Sequence, residues 1–147
     1  MENLIVLNVD GNTKEEVVKN LADELNKHGK LNNLSDYIQA VYERETEITT
    51  GFGNGVAIPH GKTDAVKESS FVFGKLKNEV DWNSLDKKPV NLVFLLAIPN
   101  KEAGTTHLRL LSQIAMRIMD EDFVENLREA KTETEINSLL NTIGGEQ

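Results

Sequence analysis

Hydrophobic and polar positions alternate along the chain with two different periods. Leu4, Ile5, Val6, Leu7 and Val9 form a short extended run, and residues 4–9 are expected as a first strand. Thr13-Lys14-Glu15-Glu16 then has the spacing of a capping box. Val17, Val18, Leu21, Ala22 and Leu25 follow at helical spacing, and His28-Gly29 closes that helix. Ser35 is placed to cap a second helix, with Ile38, Val41 and Tyr42 on its inner face and an end near Arg44 and Glu45. Residues 71–76 and 90–98 read as strands. The second is apolar almost throughout, as a central strand covered on both faces should be. Residues 106–119 form a strong amphipathic helix, and Asp120 and Thr132 are candidate caps for two short final helices around Phe123-Val124-Leu127 and Ile136-Leu139-Leu140. Strands interleave with helices, so the class is α/β, with helices packed against one sheet.

Between the second helix and the strand at 71–76 lies a glycine-rich stretch, residues 51–61, with a short extended piece at 55–58 ahead of Pro59. No internal repeat, low-complexity tract or linker interrupts the chain. Its 147 residues suit one domain, spanning 1–147, and Met1 favours a free-standing protein.

Composition narrows the function classes. With 39% hydrophobic residues the chain can bury a core without a disulfide or metal staple. Its net charge of −8 is spread along the sequence, which argues against nucleic acid as a partner, since that calls for a basic stripe. Cysteine is absent, so there is no disulfide framework, thiolate nucleophile or Cys-ligated metal. The first apolar run is far shorter than a signal h-region and follows an acid, and the longest, residues 92–99, is too short to span a bilayer. A soluble protein of the reducing cytoplasm is therefore expected.

The three histidines can be weighed one at a time. His28 sits at a helix C-terminus, where the dipole favours positive charge, and needs no further role. His60 follows Val56-Ala57-Ile58-Pro59 and precedes Gly61, where the extended segment is expected to stop. Proline holds Ile58 extended, and glycine leaves the imidazole uncrowded, an arrangement that suits a nucleophile meeting its partner in line. A loop histidine that merely follows proline would give the same local sequence. His107 lies in the first turn of the strong helix, on a stripe with Leu111, Ile114 and Ile118. The free N–H groups and dipole there attract phosphate and disfavour imidazolium. A buried histidine bonded to a nearby carbonyl is the commoner outcome at such a position. Arg44 ends the second helix between two glutamates. A guanidinium can bind phosphate oxygens bidentately, although arginines so flanked are usually solvated ion pairs.

Three other chemistries fail on spacing. Gly61-Lys62-Thr63 imitates the end of a P-loop, but Val56 stands where the upstream glycine must be. Gly51-Phe52-Gly53-Asn54-Gly55 precedes an extended piece instead of joining strand to helix, so it is no dinucleotide fingerprint. Neither His60 nor His107 belongs to a short-range ligand pair, so no metal site is expected.

Arg44-Glu45, followed by Thr50-Gly51-Phe52-Gly53-Asn54-Gly55-Val56-Ala57-Ile58-Pro59-His60-Gly61-Lys62, resembles the signature of the IIA domains of the fructose–mannitol class of the bacterial sugar phosphotransferase system. Residues 81–86 and 89–99 are similar to the same family, as is Thr106-His107-Leu108 with Leu111-Ser112. The likeness runs from about residue 4 to residue 140, and Phe52 stands where an aliphatic residue is commoner. The resemblance implies a single α/β domain with a mixed β-sheet flanked by helices on both faces. It implies that His60 accepts a phosphoryl group from phospho-HPr and passes it to a cysteine of a cognate IIB domain. From there the group reaches sugar at a membrane IIC permease, the chain's indirect tie to a membrane. By position, His107 matches the second active-site histidine and Arg44 the arginine that steadies the phosphoryl group. No cofactor or metal is implied, because donor and acceptor are both proteins. The partner surface is expected around His60, apolar with a rim of acids such as Asp64 or Glu102.

Phosphoryl transfer asks mainly for in-line positioning and charge neutralisation, which two imidazoles and a guanidinium can supply. Similar motifs occur in IIA-like regulators of the nitrogen-related branch, which bind target proteins according to phosphorylation state; residues 80–85 lean toward the transport branch. A hydrolase built on His60 and His107 is a more distant reading. Sequence leaves the sugar and the oligomeric state open.

Overall fold

A computed structural model of the chain describes residues 3–102, 105–141 and 143, with backbone alone for Asn3, Glu102 and residues 105–107. The strands are β1 (Asn3–Val9), β2 (Gly51–Gly53), β3 (Val56–Ala57), β4 (His60–Lys62), β5 (Ser70–Val80) and β6 (Val90–Ile98). The helices are α1 (Lys14–Lys27), α2 (Leu34–Glu47), α3 (Thr105–Ile118), α4 (Glu121–Glu129) and α5 (Glu133–Leu140). Among the described residues no helix is long and apolar enough to cross a membrane.

Local chemistry sets most of these boundaries. Asp120 caps α4 by accepting from the amides of Asp122 and Phe123. Thr132 caps α5, and Glu135 closes the reciprocal box. Thr13 caps α1, but the Glu16 carboxylate reaches past it to the amide of Asn12 at 2.7 Å. The expected cap of α2 is corrected: Ser35 lies inside the helix. Asn33, in extended conformation, accepts from the amide of Asp36 at 3.0 Å. An Asx oxygen three residues ahead of a free amide does the work assigned to serine. The helix also runs on to Glu47, past the expected end. Strand β5 extends to Val80, past the expected end at residue 76; Lys77, Asn78 and Glu79 are exposed and polar and carry no apolar signal.

The sheet is mixed, in the order β1-β5-β6-β3-β2, with β4 also paired to β6. β1 runs parallel to β5, and β3 and β4 run parallel to β6. The β5–β6 and β2–β3 pairs are antiparallel. Alternation along the strands feeds two cores. Val72, Val93 and Leu95 join Val18, Leu21, Tyr37 and Val41 beneath α1 and α2. Phe71, Phe73, Phe94 and Leu96 join Ile114, Val124, Leu127 and Ile136 beneath α3, α4 and α5. Helices thus cover both faces of the sheet. The rings of Phe73 and Phe94 meet at 5.0 Å between centroids in the second core.

One detail of the sheet prepares the site. Val56 pairs with Leu92 and Ala57 with Val93, while His60 pairs with Leu96 and Gly61 with Ala97. The register is the same on both sides of Pro59, so β3 and β4 are one strand interrupted by a residue without an N–H. The Pro59 carbonyl still accepts from the amide of Leu96 at 3.0 Å.

Candidate functional site

The expectation that extended structure stops before His60 is corrected by this register: His60 opens β4. What stops is the outer neighbour. Thr50 accepts the last bond from that side, from the amide of Ile58 at 3.0 Å, and among the described residues β4 pairs only with β6. His60 therefore sits at a sheet edge on a strand held rigidly from one side. Two-residue alternation sends its side chain to the face of Val56 and Ile58, toward α3. Gly61 faces the other way, against α2. A Cβ there would stand 2.9 Å from Val41 Cγ2 and 3.1 Å from Tyr37 Cε1, so only glycine lets helix and strand approach this closely.

His60 is 7% exposed. Its Nδ1 donates to the carbonyl of Ile58 at 2.9 Å. A carbonyl only accepts, so the neutral ring carries its proton on Nδ1 and its lone pair on Nε2. Burial is the main cause that pushes the pKa of His60 below the ordinary value, and the charge of Arg44 pushes the same way. The bond to Ile58 and the carboxylates of Glu45 and Glu47 oppose the shift without reversing it. At neutral pH the ring is therefore uncharged.

His60 and Arg44 line one open cleft of about 410 Å³. Its walls are the Thr49–Phe52 segment on one side and Ile58, Leu111 and Ala115 on the other, with Leu85 at the mouth. Arg44, in the last turn of α2, donates from Nη1 to the carbonyl of Ile48 at 2.9 Å, which uses one of its five N–H groups. His107 falls in the first turn of α3, and its side chain lies outside the described residues; Leu111, one turn further on, lines the cleft. His28 caps α1 and contacts Glu24 at 3.0 Å, a local role as expected.

Several site residues were not singled out from sequence. Ile48 and Leu85 are 58% and 78% exposed and, with Phe52 at 42%, form an apolar rim beside the cleft. Of the acids expected on the rim, Asp64 is exposed but does not line the cleft, and the side chain of Glu102 lies outside the described residues. Behind the rim, the Glu45 carboxylate accepts from the amide and hydroxyl of Thr50 at 2.8 and 2.6 Å. The buried Trp82 donates from Nε1 to the same hydroxyl at 3.1 Å. Glu45, Thr50 and Trp82 all lie within the stretches that resemble the family signature, but nothing in the sequence joins them to one another. Gly51 has a steric reason: a Cβ there would lie 3.0 Å from Ser84 Cα and meet its hydroxyl. Beyond the cleft, β2 and β3 are joined by the Asn54-Gly55 turn, where both residues take positive φ (61° and 80°), as a tight hairpin needs. Arg128 from α4 donates to the Asn54 carbonyl and holds that turn.

A neutral imidazole and a guanidinium facing one open, apolar-rimmed cleft can receive an anionic group in line and balance its charge. Known proteins carry the same outline. Residues 1–143 match the family described as "Phosphoenolpyruvate-dependent sugar phosphotransferase system, EIIA 2". The chain is 39% identical over 137 residues to the fructose-specific EIIABC component of Bacillus subtilis, covering 93% of this chain but 21% of that protein. It is 38% identical over 144 residues to the 2-O-alpha-mannosyl-D-glycerate-specific EIIABC component of Escherichia coli, covering 97% of this chain and 22% of that one. The chain thus spans about a fifth of the length of these curated relatives. It is also 35% identical to the fructose-specific EIIA component of Haloferax volcanii, covering 93% and 88% of the two chains. Among solved structures, the nitrogen regulatory protein IIA-Ntr of Neisseria meningitidis superposes with a TM-score of 0.85 at 30% identity, covering 92% of each chain. Enzyme IIA-mannitol of Escherichia coli, solved in complex with phosphorylated IIB-mannitol, gives 0.79 at 27% identity, again covering 92% of each. With the match running through the whole described sheet and the cleft beside it, the chain belongs to the type-2 EIIA family of the phosphoenolpyruvate-dependent sugar phosphotransferase system.

Proposed function

We propose that this chain is a phosphocarrier that takes a phosphoryl group on Nε2 of His60 from phospho-HPr and passes it to a cysteine of a cognate IIB domain during sugar uptake. The observation that carries this reading is the Nδ1–Ile58 bond, which leaves the Nε2 lone pair as the nucleophilic centre of a buried, neutral ring beside Arg44. In the transfer, that lone pair forms the new P–N bond as the bond to the donor's nitrogen breaks, and the proton stays on Nδ1, hydrogen-bonded to the Ile58 carbonyl. Arg44 steadies the phosphoryl oxygens. His107, at the start of α3, serves as the second site histidine by analogy with the family. The apolar rim of Ile48, Phe52 and Leu85 is the docking face for both partners. The mannitol IIA–IIB complex supports a IIB acceptor. Residues 1–147 act as one EIIA domain in the cytoplasm, reaching the membrane only through a IIC permease.

Intact-mass spectrometry at neutral pH, after incubation with phosphoenolpyruvate, Enzyme I and HPr, tests the reading. Wild type should gain one acid-labile phosphate and His60→Ala none. His107→Ala should still accept phosphate but pass it on slowly. Absence of any gain in wild-type protein, with active donors, would overturn the phosphocarrier reading.

A second reading is favoured by the nearness of the Neisseria IIA-Ntr structure. There the same phosphorylation would govern binding of a target protein instead of feeding a IIB domain. Capture of a regulator by only one phosphorylation state, with no transfer to IIB cysteine, would select it.

A further inference from the structure

We infer that Glu45 is a positioning residue of the site: through Thr50 and Ile58 it fixes the ring of His60, and it locks the end of α2 that carries Arg44. The inference rests on the phosphocarrier reading above for its kinetic part only.

The structural basis is a continuous chain of hydrogen bonds. The Glu45 carboxylate accepts from the Thr50 amide at 2.8 Å and from its hydroxyl at 2.6 Å. The Thr50 carbonyl accepts from the Ile58 amide at 3.0 Å. The Ile58 carbonyl accepts from Nδ1 of His60 at 2.9 Å. Each link is made by a residue that also touches the cleft or borders it. Thr50 is 8% exposed, and its hydroxyl is used twice, donating to Glu45 and accepting from Trp82 at 3.1 Å. A carboxylate holding an amide and a hydroxyl at once has a defined orientation, and charge assistance makes both bonds strong. Because Glu45 follows Arg44 on α2, the same clamp sets the distance between the guanidinium and the strand edge. Small displacements matter here, since in-line transfer depends on sub-ångström placement.

The simpler view, that Glu45 is the acid of an ion pair, fits poorly. Among the described residues its only cation is Lys14, at 3.5 Å, whereas both bonds to Thr50 are short. Removing Lys14 leaves every link of the chain intact.

The test reads the ring itself. Two-dimensional ¹⁵N–¹H spectra of the histidine side chains in unphosphorylated protein report the tautomer of His60, whether or not the protein accepts phosphate. Wild type should show the Nδ1–H form. Glu45→Ala should shift the signals toward a mixture of the two tautomers and slow phosphoryl transfer about tenfold or more in kcat, with KM for the donor protein changed less. Thr50→Val, which keeps the side-chain shape and removes the hydroxyl, covers the case in which Glu45→Ala fails to fold and should move both readouts in the same direction. Thr50→Ser should restore them. Lys14→Met should leave both within about twofold. An unchanged tautomer in folded Glu45→Ala and Thr50→Val, or a Lys14→Met defect as large as that of Glu45→Ala, overturns the inference. Failure of wild type to accept phosphate would instead remove the phosphocarrier reading and leave the tautomer result to decide the positioning role.

Discussion

The Nδ1 of His60 donates to the carbonyl of Ile58 across Pro59, so the strand that carries the imidazole also orients it. Proline makes this possible, because it holds Ile58 extended and puts that carbonyl in a fixed place two residues ahead of the ring. The tautomer is thus a property of the backbone at residues 58–60.

This relationship gives a pH dependence of function. Burial and Arg44 lower the pKa of His60 below the ordinary 6.5, so Nε2 is unprotonated at neutral pH. The rate of phosphoryl acceptance by the free protein should fall as the ring protonates, with its midpoint below pH 6.5. A profile of acceptance rate at low donor concentration checks this, with the donor's own titration measured separately.

The same lowered pKa has a consequence for stability. The folded state binds fewer protons at His60 than the unfolded chain does between the two pKa values, so stability rises with pH through that window. Stability should therefore decline as pH is lowered through 6.5 and stop declining, for this group, once below the pKa in the folded state. Urea midpoints between pH 7.5 and 5.5 should fall more in wild type than in His60→Gln, which has nothing to titrate there.

Arg44→Lys keeps the positive charge but loses the planar fork. The pKa of His60 should move little, while transfer through the site falls about tenfold because bidentate contact with the phosphoryl oxygens is lost. Equal rates in the two proteins would remove Arg44 from the transfer machinery.

Gly51→Ala tests the lip of the cleft. The new methyl would meet the buried Ser84 side chain and stand 3.0 Å from its Cα. The expected loss is about 1–3 kcal/mol of stability by overpacking, read from urea unfolding.

Tyr37→Phe tests the floor beneath the strand. The Tyr37 hydroxyl, fully buried, donates to the Leu96 carbonyl at 2.7 Å, and Leu96 is the residue paired with His60. Its loss should cost about 1–2 kcal/mol, read from the same unfolding transition.

Much of this architecture was legible in the sequence. The apolar run at Val90–Ile98 marked the central strand because burial on both faces leaves no polar positions. Asp120 and Thr132 marked their helices because a cap is a local device. His60 was marked by Pro59 and Gly61, and the structure brings it into one cleft with Arg44. What escaped was set by contacts distant in sequence. Asn33 and Ser35 are both residue types that cap helices, and the one that serves is Asn33. The β4 pairing depends on Leu96, and the Thr50 hydroxyl depends on Trp82, each more than thirty positions away. Leu85 carries no periodicity that could announce it as part of a rim.

The unbroken register across Pro59 gives the segment from Val56 to His60 a parity. Side chains on a strand face one way at every second position, so its length in residues decides which layer of the protein receives the imidazole. Deleting or inserting one residue between Ala57 and His60 would turn the ring away from the cleft and drive it into the space that Gly61 leaves for Tyr37 and Val41. A change of length here therefore costs the site its geometry, not only stability. In a set of related chains, the spacing from the Asn-Gly turn to the histidine should therefore be the least variable interval in the protein, more constant than the identity of the residues inside it.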